Sequence, residues 1–133
     1  MIDTSVLVAG LIPEHEFHTR ARPHVVAAAA GLLPAPVLAE AWAALRRAPW
    51  NLAPGTVAAL LAPWRDPARL AAPGAATYAA ALADAQRTGA GAGVHDLVIA
   101  HTCAEAGVAL ATLDRQQAAR AREIDGLSVE LLV

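Results

Sequence analysis

Polar and apolar positions along the chain fall into two kinds of block. Short unbroken apolar runs end at an acid, a glycine or a proline, and longer stretches carry helical spacing. Residues 1–3 read as the tail of a very short first strand ending in Asp3. Thr4 or Ser5 is placed to cap a turn or helix through Val6, Leu7, Val8 and Ala9, stopping before Pro13. Residues 14–30 are helical in character, with Pro23 expected to interrupt or divide the helix and Gly31 to end it. A second short strand over 32–37, with prolines at its end, leads into a helix over 38–47. There Leu38, Trp42 and Leu45 share one face, and at roughly 100° per residue Glu40 lies almost opposite them.

Residues 49–53 are a connection and 54–64 a short helix with proline in its first turn. A turn follows, with a short strand around Arg69, Leu70 and Ala71, then an alanine-rich helix over 75–87. Gly89, Gly91 and Gly93 break the chain before a helix that opens at Asp96 and stops at Gly107. The apolar run 108–113 has the length of a strand buried on both faces, and it ends at Asp114. Asp114 and Gln117 have the spacing of a capping box at the head of a polar helix through Arg122. Gly126 ends that helix and 128–133 make a closing strand. Such alternation predicts a single α/β domain, a mostly parallel sheet with right-handed crossovers.

Composition narrows the classes. The 133 residues are 56% hydrophobic, but the excess is largely alanine, which suits helices as well as interiors. The longest apolar run, 25–39, is interrupted by Pro34 and Pro36 and is too short to span a membrane. Asp3 and the lack of a basic leading segment argue against a signal peptide. The lone Cys103 permits no internal disulfide and fits a cytoplasmic protein. A net charge of −2 excludes a globally basic nucleic-acid binder. All ten basic residues are arginine, which suits phosphate contact but also tracks the Ala, Gly and Pro enrichment of a biased genome.

The chemistry lies in the acids. On the predicted topology Asp3 and Asp114 end strands, while Asp96 and Glu40 begin helices on the same sheet edge, where open α/β sheets bind ligands. Clustered carboxylates repel unless a cation neutralises them, and hard oxygen donors favour Mg²⁺ or Mn²⁺. Such a site activates water and stabilises charge on a phosphoryl group; two ions clamp both the attacking and leaving oxygens. Taken singly, each acid has a plainer explanation: a cap for Asp3 or Asp114, a solvated helix face for Glu40. His15 and His18 are one turn apart but lie in a polar segment that reads as solvated, as does His24. Trp50, Trp64 and Tyr78 read as packing, His95 as a loop residue, His101 as packed or partly exposed, and Cys103 as a small apolar residue.

Four segments in order, Met1-Ile2-Asp3-Thr4-Ser5-Val6-Leu7, Leu38-Ala39-Glu40, His95-Asp96-Leu97-Val98-Ile99-Ala100 and Leu110-Ala111-Thr112-Leu113-Asp114-Arg115, resemble the signature segments of PIN domains. The chain length is similar to that of the VapC-type toxin ribonucleases. The resemblance implies a PIN-like three-layer sandwich, with a central mostly parallel sheet flanked by helices, and an Mg²⁺- or Mn²⁺-dependent endoribonuclease acting on structured RNA such as tRNA or rRNA. It implies Asp3, Glu40, Asp96 and Asp114 as the catalytic, metal-binding acids, with Ser5 and Thr112 orienting carboxylates or water. It also implies a homodimer and a cognate VapB-like antitoxin.

The chain departs from the family pattern after Asp114. Many relatives have a further acid and a phenylalanine where Gln116, Gln117 and Ala118 stand, which leaves room for a one-metal enzyme. The first strand is also cut short, or begins upstream of Met1. The chemistry expected is in-line attack by metal-activated water, leaving 5′-phosphate and 3′-hydroxyl ends. Arg46, Arg47 and Arg115 are candidate RNA-backbone contacts because they share segments with Glu40 and Asp114, though salt bridges or solvated faces account for them equally. An aspartate-nucleophile phosphatase would need a second aspartate where Ser5 stands, and a phosphorylation receiver would need a lysine that the chain lacks. The remaining rival is a catalytically inert PIN-like binding or assembly module.

Overall fold

The apolar runs become strands only over the few residues that meet a neighbouring run. A computed structural model describes residues 1–91 and 93–133, and every strand pairing among them is parallel. β1 (Leu33–Pro34) pairs with β2 (Leu70–Ala71), Leu33 opposite Leu70. β3 (Leu110–Thr112) pairs with β4 (Val129–Leu131), Leu110 opposite Val129, and Ile2 bridges to Ala111 on β3. Between them run α1 (Thr4–Leu11), α2 (His18–Ala30), α3 (Ala35–Arg46), α4 (Pro54–Leu60), α5 (Ala75–Thr88), α6 (Val94–Glu105) and α7 (Arg115–Ala121). α1 packs on α2, α3 and β3, while α6 packs on α5, α7 and β1. The expected parallel α/β architecture is present, with shorter strands and more helix than the apolar runs suggested, and the described strands pair as two two-stranded sheets rather than one continuous sheet.

Several boundaries differ for identifiable reasons. The strand expected over 32–37 stops at Pro34 because Pro36 sits in the first turn of α3, where its missing N–H costs nothing. Starting the helix earlier exposes a different stripe: Val37, Ala41 and Leu45 are buried at i, i+4, i+8, whereas Trp42 is 41% exposed and Leu38 half-buried. Glu40 therefore flanks the buried stripe rather than opposing it. α2 begins only at His18 and runs unbroken through Pro23, whose exposed position leaves the unpaired carbonyl one turn back to water. The expected helix over 54–64 closes at Leu60 and continues as a 3₁₀ turn, Ala62–Trp64, because Pro63 disfavours α geometry at Ala62.

Trp64, Leu7, Leu33, Leu45, Ile99 and Leu110 fill the main core, and the Trp64 indole N–H donates to the Ala28 carbonyl at 3.2 Å. α1 and α2 approach each other closely at Gly10. A Cβ on Gly10 would stand 2.4 Å from Val25 Cγ2 and 3.2 Å from the Ala21 carbonyl carbon. Alanine normally gains about 1 kcal/mol over glycine in a helix, but here overpacking should dominate. Gly10→Ala is expected to lower stability by about 1–3 kcal/mol in a denaturant melt, and Val25→Ala in the same chain should restore part of the loss. A neutral or stabilising Gly10→Ala would show that the two helices do not meet there.

Candidate active site

Asp3 is placed by backbone and side chain together. Its N–H donates to the Ala111 carbonyl at 3.1 Å, and the Ala111 N–H donates to the Met1 carbonyl at 2.9 Å, which sets the acid beside β3. Its carboxylate accepts from the Val6 N–H at 2.9 Å, the Ser5 hydroxyl at 2.7 Å and the Thr112 hydroxyl at 2.6 Å. Asp3 itself is thus the N-cap of α1, in place of the expected Thr4 or Ser5. Ser5 in turn accepts the Leu113 N–H at 3.0 Å, and Thr4 donates to Glu40 Oε2 at 2.5 Å. Asp3 is only 2% exposed, and burial pushes its carboxyl up to about 6 despite these donors, with nearby Asp96 adding to the rise.

The other acids arrive from three further segments. Asp96 lies in the first turn of α6, half-buried, with Oδ2 held 3.1 Å from Arg120 Nη1. Burial foremost, then Asp114 and Glu40, raise its pKa, while Arg120 and His95 oppose the rise. Asp114 caps α7 by accepting the Gln116 and Gln117 N–H groups at 2.7 and 3.0 Å. Asp3, Glu40, Asp96 and Asp114 line one cavity of about 170 Å³ with Thr4, Ser5 and Gln117. The four acids picked from the sequence therefore share one cavity, and Ser5 and Thr112 do hold the first carboxylate. Hard oxygen donors around an undercompensated buried carboxylate suit a divalent cation. Among the described residues, however, no three acidic, histidine or cysteine side chains converge closely enough to hold an ion as they stand. Arg120 draws on Asp96, Thr4 holds Glu40, and α7 engages Asp114.

Three site residues escaped the sequence reading: Thr4 as a hydroxyl donor to Glu40, Gln117 and Arg120. Gln117 is 3% exposed, with Oε1 3.1 Å from the Thr112 hydroxyl and a buried Nε2 that has no partner among the described residues. The capping box is only half made, because the Asp114 N–H goes to Thr112 at 2.9 Å instead of to Gln117. Thr112 has one proton, which the 2.6 Å contact directs to Asp3; an amide turned with its nitrogen toward Thr112 would complete the hydroxyl's bonding. The capping-box spacing pointed to Gln117, but nothing local pointed to Arg120, whose partner is 24 residues away.

The candidate RNA contacts are less concentrated. Arg46 donates to the Leu52 carbonyl at 2.7 Å and Arg47 to the Ala43 carbonyl at 3.1 Å, both exposed beyond Glu40, while Arg115 is exposed beside Asp114. His15 packs against Trp50, His18 Nδ1 lies 3.0 Å from the Ala9 carbonyl, and His24 faces Glu130. His101 pairs with Asp84 at 2.8 Å and lowers that carboxyl, and burial pushes the Cys103 thiol up to about 11. No helix among the described residues is long and apolar enough to cross a membrane.

Residues 1–123 match the model of the PIN domain family. The chain belongs to that family. PIN domains are typically metal-dependent nucleases, and all four acids of the cavity lie inside the matched span. No curated protein matches the chain significantly.

The buried Asp3 gives a signed pH dependence. Its carboxyl titrates near about 3.9 when unfolded and at about 6 in the fold, so the folded chain holds the extra proton between those values. Its contribution to apo stability is therefore greatest at low pH and is lost as pH rises through about 6. Asp3→Asn should raise apo stability at neutral pH by up to about 3 kcal/mol and abolish any Mn²⁺-induced rise in Tm. An apo protein left equally or less stable would show that Asp3 is not a strained charge.

Proposed function

We propose that this PIN domain is a metal-dependent endoribonuclease, the toxin of a VapBC-like type II toxin–antitoxin system. The observation that carries the reading is the convergence of Asp3, Glu40, Asp96 and Asp114 from four separate segments on one cavity. A divalent cation, Mg²⁺ or Mn²⁺, bound there would supply positive charge to a phosphoryl oxygen and ease ionisation of a water. Asp3 is fixed by three donors and supplies a rigid anchoring carboxylate. Glu40 and Asp96, each held by a single side-chain donor, would supply ligands free to turn, and either would be placed to take a proton from water in the cavity. Asp114, with its caps made through Oδ1, closes the set beside Thr112.

Structured RNA as the substrate, a VapB-like antitoxin, a homodimer and cytoplasmic action follow from the family resemblance of the four motif segments. The chain's own support for an RNA substrate is that its strong cations are all arginine, the side chain best shaped for phosphate contact. Purified protein should cut total bacterial RNA into discrete fragments with Mg²⁺ or Mn²⁺ and not with EDTA, leaving 5′-phosphates. Asp96→Asn should lower the rate on the order of a hundredfold, the scale of one lost charge-stabilising group. Ends carrying 2′,3′-cyclic phosphate would overturn the mechanism. Absence of both cleavage and Mn²⁺-dependent stabilisation would favour an inert binding module.

A further inference from the structure

Arg120 is the only residue in an ion pair with one of the four acids among the described residues, and its place is prepared by the backbone. A Cβ on Gly93 would lie 2.4 Å from Arg120 Nη1, 2.7 Å from Cζ and 3.2 Å from Nε, so the guanidinium lies across the head of α6. Gly93 has φ −66°, which any residue adopts. Space for Arg120, not backbone conformation, is what this glycine provides. The contact to Asp96 is a single Nη1–Oδ2 bond at 3.1 Å, and both side chains are about one-third exposed or less, at 27% and 32%. One fork of the guanidinium is thus committed to a carboxylate that a cation would also require.

We propose that Arg120 is a two-position residue: it holds Asp96 while the cavity is empty, and turns to the scissile phosphate of RNA once a divalent cation claims that carboxylate. This rests on the nuclease reading of the same acids. An acidic cavity repels a phosphodiester, and a guanidinium bonded to Asp96, one of the residues that line it, offers a planar two-donor contact to phosphate oxygens. Releasing Asp96 leaves that donor unpaired at the place where the substrate's charge arrives. The same pairing opposes metal binding in the empty site, because a fixed positive charge a few ångströms from an entering cation raises its free energy.

Arg120→Gln separates the two effects. Mn²⁺ titration followed by Tm should show tighter binding, with a dissociation constant lower by about tenfold once the competing charge is gone. Cleavage of total bacterial RNA at saturating Mn²⁺ should instead fall by about tenfold or more, since a charged phosphate contact is lost. Gly93→Ala, which keeps the arginine but removes its seat, should also tighten Mn²⁺ binding. If Arg120→Gln weakens Mn²⁺ binding or leaves it unchanged, the arginine merely orients Asp96 or plays no part, and the proposal fails. Unimpaired cleavage also overturns it. A wild-type protein with no Mn²⁺ response removes the nuclease reading itself, and this proposal with it.

Discussion

A buried carboxylate holds this structure together at its functional edge. Asp3 joins the first extended segment to β3 through its backbone, caps α1 through its side chain, and receives the Thr112 hydroxyl from the end of β3. Removing the charge from water is costly, and three donors do not offset the cost, as its raised pKa shows. The elements around it bring three more carboxylates, Glu40 from within α3, Asp96 from the first turn of α6 and Asp114 from the cap of α7, into the same cavity. Structures retain strain of this kind where a ligand relieves it, and a divalent cation is the ligand these oxygens suit.

Much of that edge could be read from the chain because acids at element ends have positional meaning. Asp114 caps α7 and also lines the cavity with the other three acids, so the plain explanation does not exclude the functional one. Asp96 stands in the first turn of its helix, where the helix dipole favours an acid. The parallel pairing followed from the alternation of runs and helices. What failed was local: Thr4 and Ser5 were read as caps because hydroxyls commonly are, but here both serve carboxylates, Thr4 on Glu40 and Ser5 on Asp3. The α3 stripe was read from its two largest apolar residues, yet its start at Ala35 puts small Ala41 inward and Trp42 outward.

Residues that act across long separations leave no periodic trace. Arg120 looks like one more surface arginine in a polar helix until α6 and α7 are packed, and Gly93 looks like a helix breaker until the guanidinium is seen against it. Gln117 is buried at the cavity, and its amide joins a hydroxyl that serves Asp3. It gives the cavity a neutral group that can both donate and accept hydrogen bonds. Charge at this site is therefore set by side chains that sequence spacing alone would not connect.

The most direct test of the account is a crystal of the protein soaked in Mn²⁺ and measured at an energy where manganese scatters anomalously. The account predicts a manganese peak inside the acidic cavity, coordinated by Asp3 and at least one of Glu40, Asp96 and Asp114, with Asp96 released from Arg120. A cavity without manganese at saturating concentration, or an ion bound elsewhere while the Asp96–Arg120 pair stays closed, would contradict it.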